Sequence, residues 1–101
     1  MNKAQPEMTH IDITAARGCI RYTLTIKGTM NFPGAVVTAA VIPERAFNTY
    51  RVVVTAGSPS TGIVNTVYDL GMNGIPEHER ACSYALECVK AAEQFWQDCQ
   101  S

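Results

Sequence analysis

Hydrophobic and polar positions alternate along most of this chain, and the period changes near its end. From Met8 to Ala15, Ile11 and Ile13 face one way while His10, Asp12 and Thr14 face the other, which predicts a short strand. Cys19 to Lys27 repeats the pattern more cleanly. Ile20, Tyr22, Leu24 and Ile26 form the face that seeks a core, and Cys19, Arg21, Thr23, Thr25 and Lys27 form the other. Ala35 to Ile42, AVVTAAVI, is a nearly continuous apolar run suited to the centre of a sheet, with Pro43 expected to end it. Tyr50 to Ala56 predicts a valine-rich strand with Arg51, Val53 and Thr55 opposite Tyr50, Val52 and Val54. Ile63 to Leu70 suits an edge strand blunted by Asn65 and Asp69, but its pattern also leaves a helix open.

The period then lengthens. Across Pro76 to Cys99, the residues Ala81, Ala85, Cys88, Val89, Ala92, Phe95, Trp96 and Cys99 recur at helical spacing on one stripe. Glu79, Arg80, Glu87, Lys90, Gln94 and Asp98 point away from it, while Leu86 falls well off the stripe and is expected to be exposed. Pro76 fits a first helical turn, where its missing N–H is harmless, and Glu77 and Glu79 complement the helix dipole there. Ala16-Arg17-Gly18 reads as a tight turn, and the glycine-containing stretches 28–34, 57–62 and 71–74 read as loops.

Together these elements predict an α+β fold: an antiparallel four- to five-stranded β-meander with one long C-terminal α-helix packed on one face. Residues 1–7 are polar, contain Pro6, and are expected to be a flexible N-terminal tail; residues 8–101 form a single domain. One face of the sheet has no element to cover it, and in so small a chain that open face is the expected working surface.

Composition narrows the picture only slightly. The chain has 101 residues with 47% hydrophobic and 17% charged residues, which is ordinary globular usage. Its net charge of -1 provides no global pull on nucleic acid or acidic membranes. Residues 1–74 hold six Lys/Arg against four Asp/Glu, and residues 75–101 hold two against five, so a mildly basic sheet meets an acidic helix. No apolar run approaches the ~18 residues of a membrane span, and Lys3 is followed by no apolar signal core, so a cytoplasmic location is expected. Cys82, Cys88 and Cys99 share the predicted helix at separations of roughly 9 and 16 Å, beyond the ~7 Å disulfide limit between Cα atoms, so reduced thiols are expected.

Candidate chemistry is sparse. The histidines are His10 and His78, no Cys-x-x-Cys or His-x-x-x-His spacing occurs, and neither metal nor cofactor is expected. His78 and Cys82 stand at i and i+4 at the helix start, where a thiolate would be favoured; a thiol-dependent enzyme is one alternative, against the plainer packing role of a helical cysteine. The loop 57–62, GSPSTG, could line an anion nest but lacks the lysine and following helix of a phosphate loop. Arg21, Lys27 and Arg51 on the open sheet face, with Arg17 at the adjacent turn, would suit phosphates, so direct nucleic-acid binding is the second alternative. That face has no aromatic residue to stack bases, because Tyr22 and Tyr50 belong to the inward sets.

The leading expectation is a non-enzymatic protein that docks on a macromolecular partner, protein or ribonucleoprotein. Arg17, Arg21, Lys27 and Arg51 would meet carboxylates or phosphates, and the loop aromatics Phe32 and Phe47 would anchor. Charge reversal at Arg21 and Arg51 together is expected to abolish docking and leave thermal stability nearly unchanged. Exposed edge strands leave a homodimer open as well. Small phage and mobile-element inhibitors of host defence, anti-CRISPR proteins among them, share this size and habit. The likeness is one of class; no motif carries it.

Overall fold

Short turns dictate the topology. In the computed structural model, which describes residues 11–28, 30, 34–71 and 74–100, five strands lie in sequence order in one antiparallel sheet. They are β1 (Ile11–Ala16), β2 (Cys19–Ile26), β3 (Ala35–Glu44), β4 (Thr49–Gly57) and β5 (Val64–Asp69), and the helix α1 (His78–Gln100) crosses one face. The α+β meander expected from the sequence is the fold observed. The segment Ile63–Leu70 resolves as strand, with β5 antiparallel to β4. The expected tail at 1–7 and residues 8–10 of the first strand lie outside the described residues.

Cross-strand register sorts the side chains into two layers. On the helix side, Tyr22, Leu24, Val37, Ala39, Val41, Val52 and Val54 are buried and meet Ala81, Ala85 and Val89 of α1. Three alanine or valine positions on the helix allow it to approach a sheet built of valine and alanine closely. At about 25 cal/mol per Å2 of apolar surface, this layer is the main source of stability. The helix lies over β2, β3 and β4. Both edge strands fall outside its footprint, so Ile13 of β1 and Val67 of β5 stay about 60% exposed although both are apolar.

Four details depart from the sequence expectation. Pro43 does not end β3, which runs on to Glu44. Pro43 pairs with Tyr50, whose N–H and C=O are both engaged with Ile75 on the other side, so that pair needs no ladder bond from a proline nitrogen. The helix starts at His78 rather than Pro76. Ile75 is drawn into an antiparallel bridge with Tyr50, with N···O distances of 2.8 and 3.0 Å, and Glu77 supplies the first helical acceptor, to Ala81 N–H at 3.0 Å. Leu86, expected to be exposed, is partly buried against the core, because α1 packs across three strands and the core reaches beyond its central Ala81–Ala85–Val89 line. Phe95, assigned to the core stripe, is 61% exposed, since it points past β4 towards an edge strand the helix does not cover. The side chains of Trp96 and Cys99 lie outside the described residues.

Candidate functional site

The β1–β2 connection is a two-residue turn whose Arg17 (φ 54°) and Gly18 (φ 83°) are both left-handed, the geometry a right-twisted hairpin demands. Glycine takes that conformation freely; arginine does not. The β3–β4 connection runs through Arg45, Ala46, Phe47 and Asn48, with Asn48 also left-handed at φ 53°. Successive antiparallel strands bring both hairpin tips to one end of the sheet, and the N-terminus of α1 arrives there through the Tyr50–Ile75 bridge.

One cleft of about 580 Å3 opens at that end, lined by Arg17, Gly18, Pro43, Arg45, Tyr50 and His78. Two guanidiniums from separate hairpins and one imidazole thus face a shared space without a carboxylate among the lining residues. Neither Arg17 nor Arg45 forms an ion pair among the described residues, and both are exposed. Phe47, on the same tip as Arg45, is 46% exposed. Tyr50 closes the inner wall, its ring edge-on to His78 at a centroid distance of 5.0 Å.

The thiol expected beside His78 is there. Cys82 Sγ lies 3.7 Å from His78 Nε2, one helical turn on. The same thiol touches Tyr22, whose hydroxyl is pushed above its ordinary value first by burial and then by that contact. Cys82 is therefore wedged, half-buried, between a core tyrosine and the imidazole. Among the described residues no carboxylate is bonded to His78, so the imidazole is positioned by Tyr50 and Cys82 alone.

On the open sheet face the expected cations have different fates. Arg21 is exposed at the middle of β2, and Lys27 is exposed just beyond its end. Arg51 is engaged. Its Nε donates to Asp69 Oδ1 at 2.9 Å, its Nη2 donates to Asp69 Oδ2, and Glu44 Oε1 lies 3.7 Å from its Nη1. The Arg51 hydrogen bonds, followed by one from the Gly71 N–H, hold the Asp69 carboxyl at about 2, well below its ordinary value. Register places Asp12, Glu44 and Asp69 on the same face as Arg21 and Arg51, and with Lys27 just beyond the end of β2 three carboxylates offset three cations. The mildly basic sheet inferred from composition is thus not basic on this face. Phe32 lies outside the described residues.

Register also creates a row that no linear reading displays. Thr23, Thr38, Thr55 and Thr66 are successive cross-strand neighbours on β2 to β5, continued by Asp12 on β1. Thr23 Oγ1 and Thr38 Oγ1 are 3.4 Å apart. A band of hydroxyls flanked by Val36, Ala40 and Val53 makes this face neutral and of mixed polarity.

At the opposite flank of the helix a second cleft, about 500 Å3, is lined by Val37, Val54, Ala56, Val67, Tyr68, Cys88, Ala91, Ala92 and Phe95. Burial, and then the neighbouring Glu87 charge, push the Cys88 thiol up. Tyr84 donates to the Tyr68 hydroxyl at 2.8 Å, tying α1 to β5 and raising the Tyr84 phenol to about 12. No group of three or more His, Cys, Asp or Glu suited to a metal occurs among the described residues, and no described helix is long and apolar enough to cross a membrane.

No protein-family model, curated protein or solved structure matches this chain. The site is therefore read from its own geometry. Of the residues singled out in the sequence, Arg17 and His78 line the hairpin-tip cleft and Phe47 and Cys82 lie beside it, whereas Arg45 and the cleft itself were not anticipated. The missing signal was that both hairpin tips project from the same end of a meander. An even number of strands between two turns implies that once the topology is accepted.

Proposed function

We propose that this protein is a non-enzymatic binding protein that docks on a macromolecular partner, protein or ribonucleoprotein, through its hairpin-tip end. The observation that carries the reading is the cleft in which Arg17 and Arg45, from separate turns, and His78, from the helix start, converge without a carboxylate in its lining. Guanidiniums with no ion pair among the described residues are suited to bidentate contact with a carboxylate or phosphate, and a neighbouring exposed Phe47 adds an apolar anchor. Arg51 is less suited to that role because its fork is already filled by Asp69.

The test compares the wild type with an Arg17→Glu/Arg45→Glu variant in affinity capture from the cells that make the protein, with and without nuclease. A stoichiometric protein partner that survives nuclease, and is lost with the variant while its thermal melt is unchanged, supports the reading. Equal recovery by the variant refutes the site. Nucleic acid alone in the eluate, with affinity falling steeply as salt rises, replaces it with direct nucleic-acid binding. A second reading, thiol chemistry at Cys82, rests on the 3.7 Å approach of His78 Nε2. It requires fast, pH-dependent alkylation of native Cys82, and uniformly slow labelling of the cysteines removes it.

A further inference from the structure

The exposed large apolar side chains are not scattered. Of those exposed in the described chain, Ile63, Val64, Val67 and Tyr68 lie on or beside β5, and Phe95 lies on the helix flank that overlooks it. A bulge explains part of the grouping. Val54 pairs with Tyr68 and Thr55 with Thr66, so Val67 is the extra residue of β5. It lines the same cleft as Tyr68, Cys88, Ala91 and Phe95, which puts two consecutive β5 side chains on the helix side. Among the described residues the strand's outer edge has no partner strand, since β5 ends the sheet.

From this arrangement we infer that the β5 edge is the interface of a homodimer. Two copies meet about a twofold axis through β5, join their sheets edge to edge, and each covers the Val67–Tyr68–Phe95 cleft of the other. The area fits. The five residues leave on the order of 500 Å2 exposed per chain, divided between the open face (Val64) and the helix side (Val67, Tyr68, Phe95), the two faces that an edge-to-edge joint continues, against about 800 Å2 per partner in a standard interface.

Charge fits too. Antiparallel pairing about the middle of the strand sets Asp69, at the end of β5, against the start of β5 in the second copy rather than against its own counterpart. Asp69 is already neutralised by Arg51. Within β5 there is no lysine or proline; the features that oppose edge pairing are the Val67 bulge and Asp69, and the Asp69 charge is held by Arg51. The hairpin-tip cleft of Arg17 and Arg45 shares no lining residue with this patch, so the dimer and the docking site are independent proposals.

Sedimentation equilibrium from low to high micromolar concentration tests the inference on the full chain. The expected mass is twice the 11.0 kDa of one chain, and Val67→Lys is expected to weaken the association more than about tenfold by burying a charge in the joint. Amide hydrogen exchange on the wild type gives a readout that does not depend on the variant folding. The outward-facing amides of β5 slow as concentration rises, while those at the β1–β2 turn do not change. A monomeric wild type at every concentration overturns the proposal, as does a dimer that Val67→Lys leaves intact or β5 amides whose exchange is independent of concentration.

Discussion

Arginine is a poor choice for residue 17 on structural grounds, and replacing it offers a clean separation of stability from binding. The turn holds Arg17 at φ 54°, where the Cβ crowds the following carbonyl oxygen and an L-residue other than Asn or Asp is disfavoured by roughly 1–2 kcal/mol. Asparagine tolerates that region far better and is the residue two-residue hairpin turns prefer at this position, especially before glycine. Arg17→Asn should recover about half of the strain, on the order of 0.5–1 kcal/mol. No ion pair of Arg17 exists among the described residues to offset the gain. In a domain of this size such a gain raises the melting temperature by roughly 2–8 °C. Thermal melts followed by circular dichroism, run beside capture of the partner, give both readouts. The variant is expected to melt higher and bind less. A lower melting temperature would refute the strain argument, and a higher one with undiminished binding would show that Arg17 is not part of the docking surface.

Two further outcomes follow from the layering and the ion pairs. Leu24→Ala removes a fully buried side chain from under the helix and should cost about 2–5 kcal/mol, whereas Thr25→Ala, one residue on and exposed on the other face, should cost less than about 0.5 kcal/mol in urea unfolding. A comparable loss at Thr25 would mean that the open face is covered in solution. Asp69 supplies a pH signature. Its folded carboxyl titrates near 2, below its ordinary 3.8, so its pairing stabilises the fold above that ordinary value and is lost as pH falls towards 2. Acid melts of Asp69→Asn should show a smaller decline across that window than the wild type, and identical acid profiles would exclude the pairing as a source of acid sensitivity. The same pairing changes the expectation for charge reversal at Arg51. A glutamate there would face Asp69 and Glu44, so lowered stability, rather than unchanged stability, is expected.

How much of this was legible in the chain varies with the range of the interaction. Alternation in IRYTLTI and YRVVVTA determined which side chains of β2 and β4 enter the core, because a strand's two faces are set by successive residues alone. The change of period after Ile75 determined that a helix follows, and turn residues such as Gly18 made a meander the simplest connection. Properties that depend on what lies opposite were decided by the tertiary structure. Arg51 looked available until β5 brought Asp69 to it across 18 residues of sequence. Phe95 sat on the apolar stripe, yet the helix covers β2 to β4 and leaves that flank overlooking a bare edge. Pro43 read as a stop and remained in β3 because Tyr50 bonds to Ile75 instead. Arg45 lines a cleft with Arg17 and His78 because antiparallel connectivity carries its turn to the same end. Local periodicity determines faces and element types because both arise within a few residues. Pairing, exposure and the convergence of charge arise between segments distant in sequence, and only the assembled sheet brings those segments together.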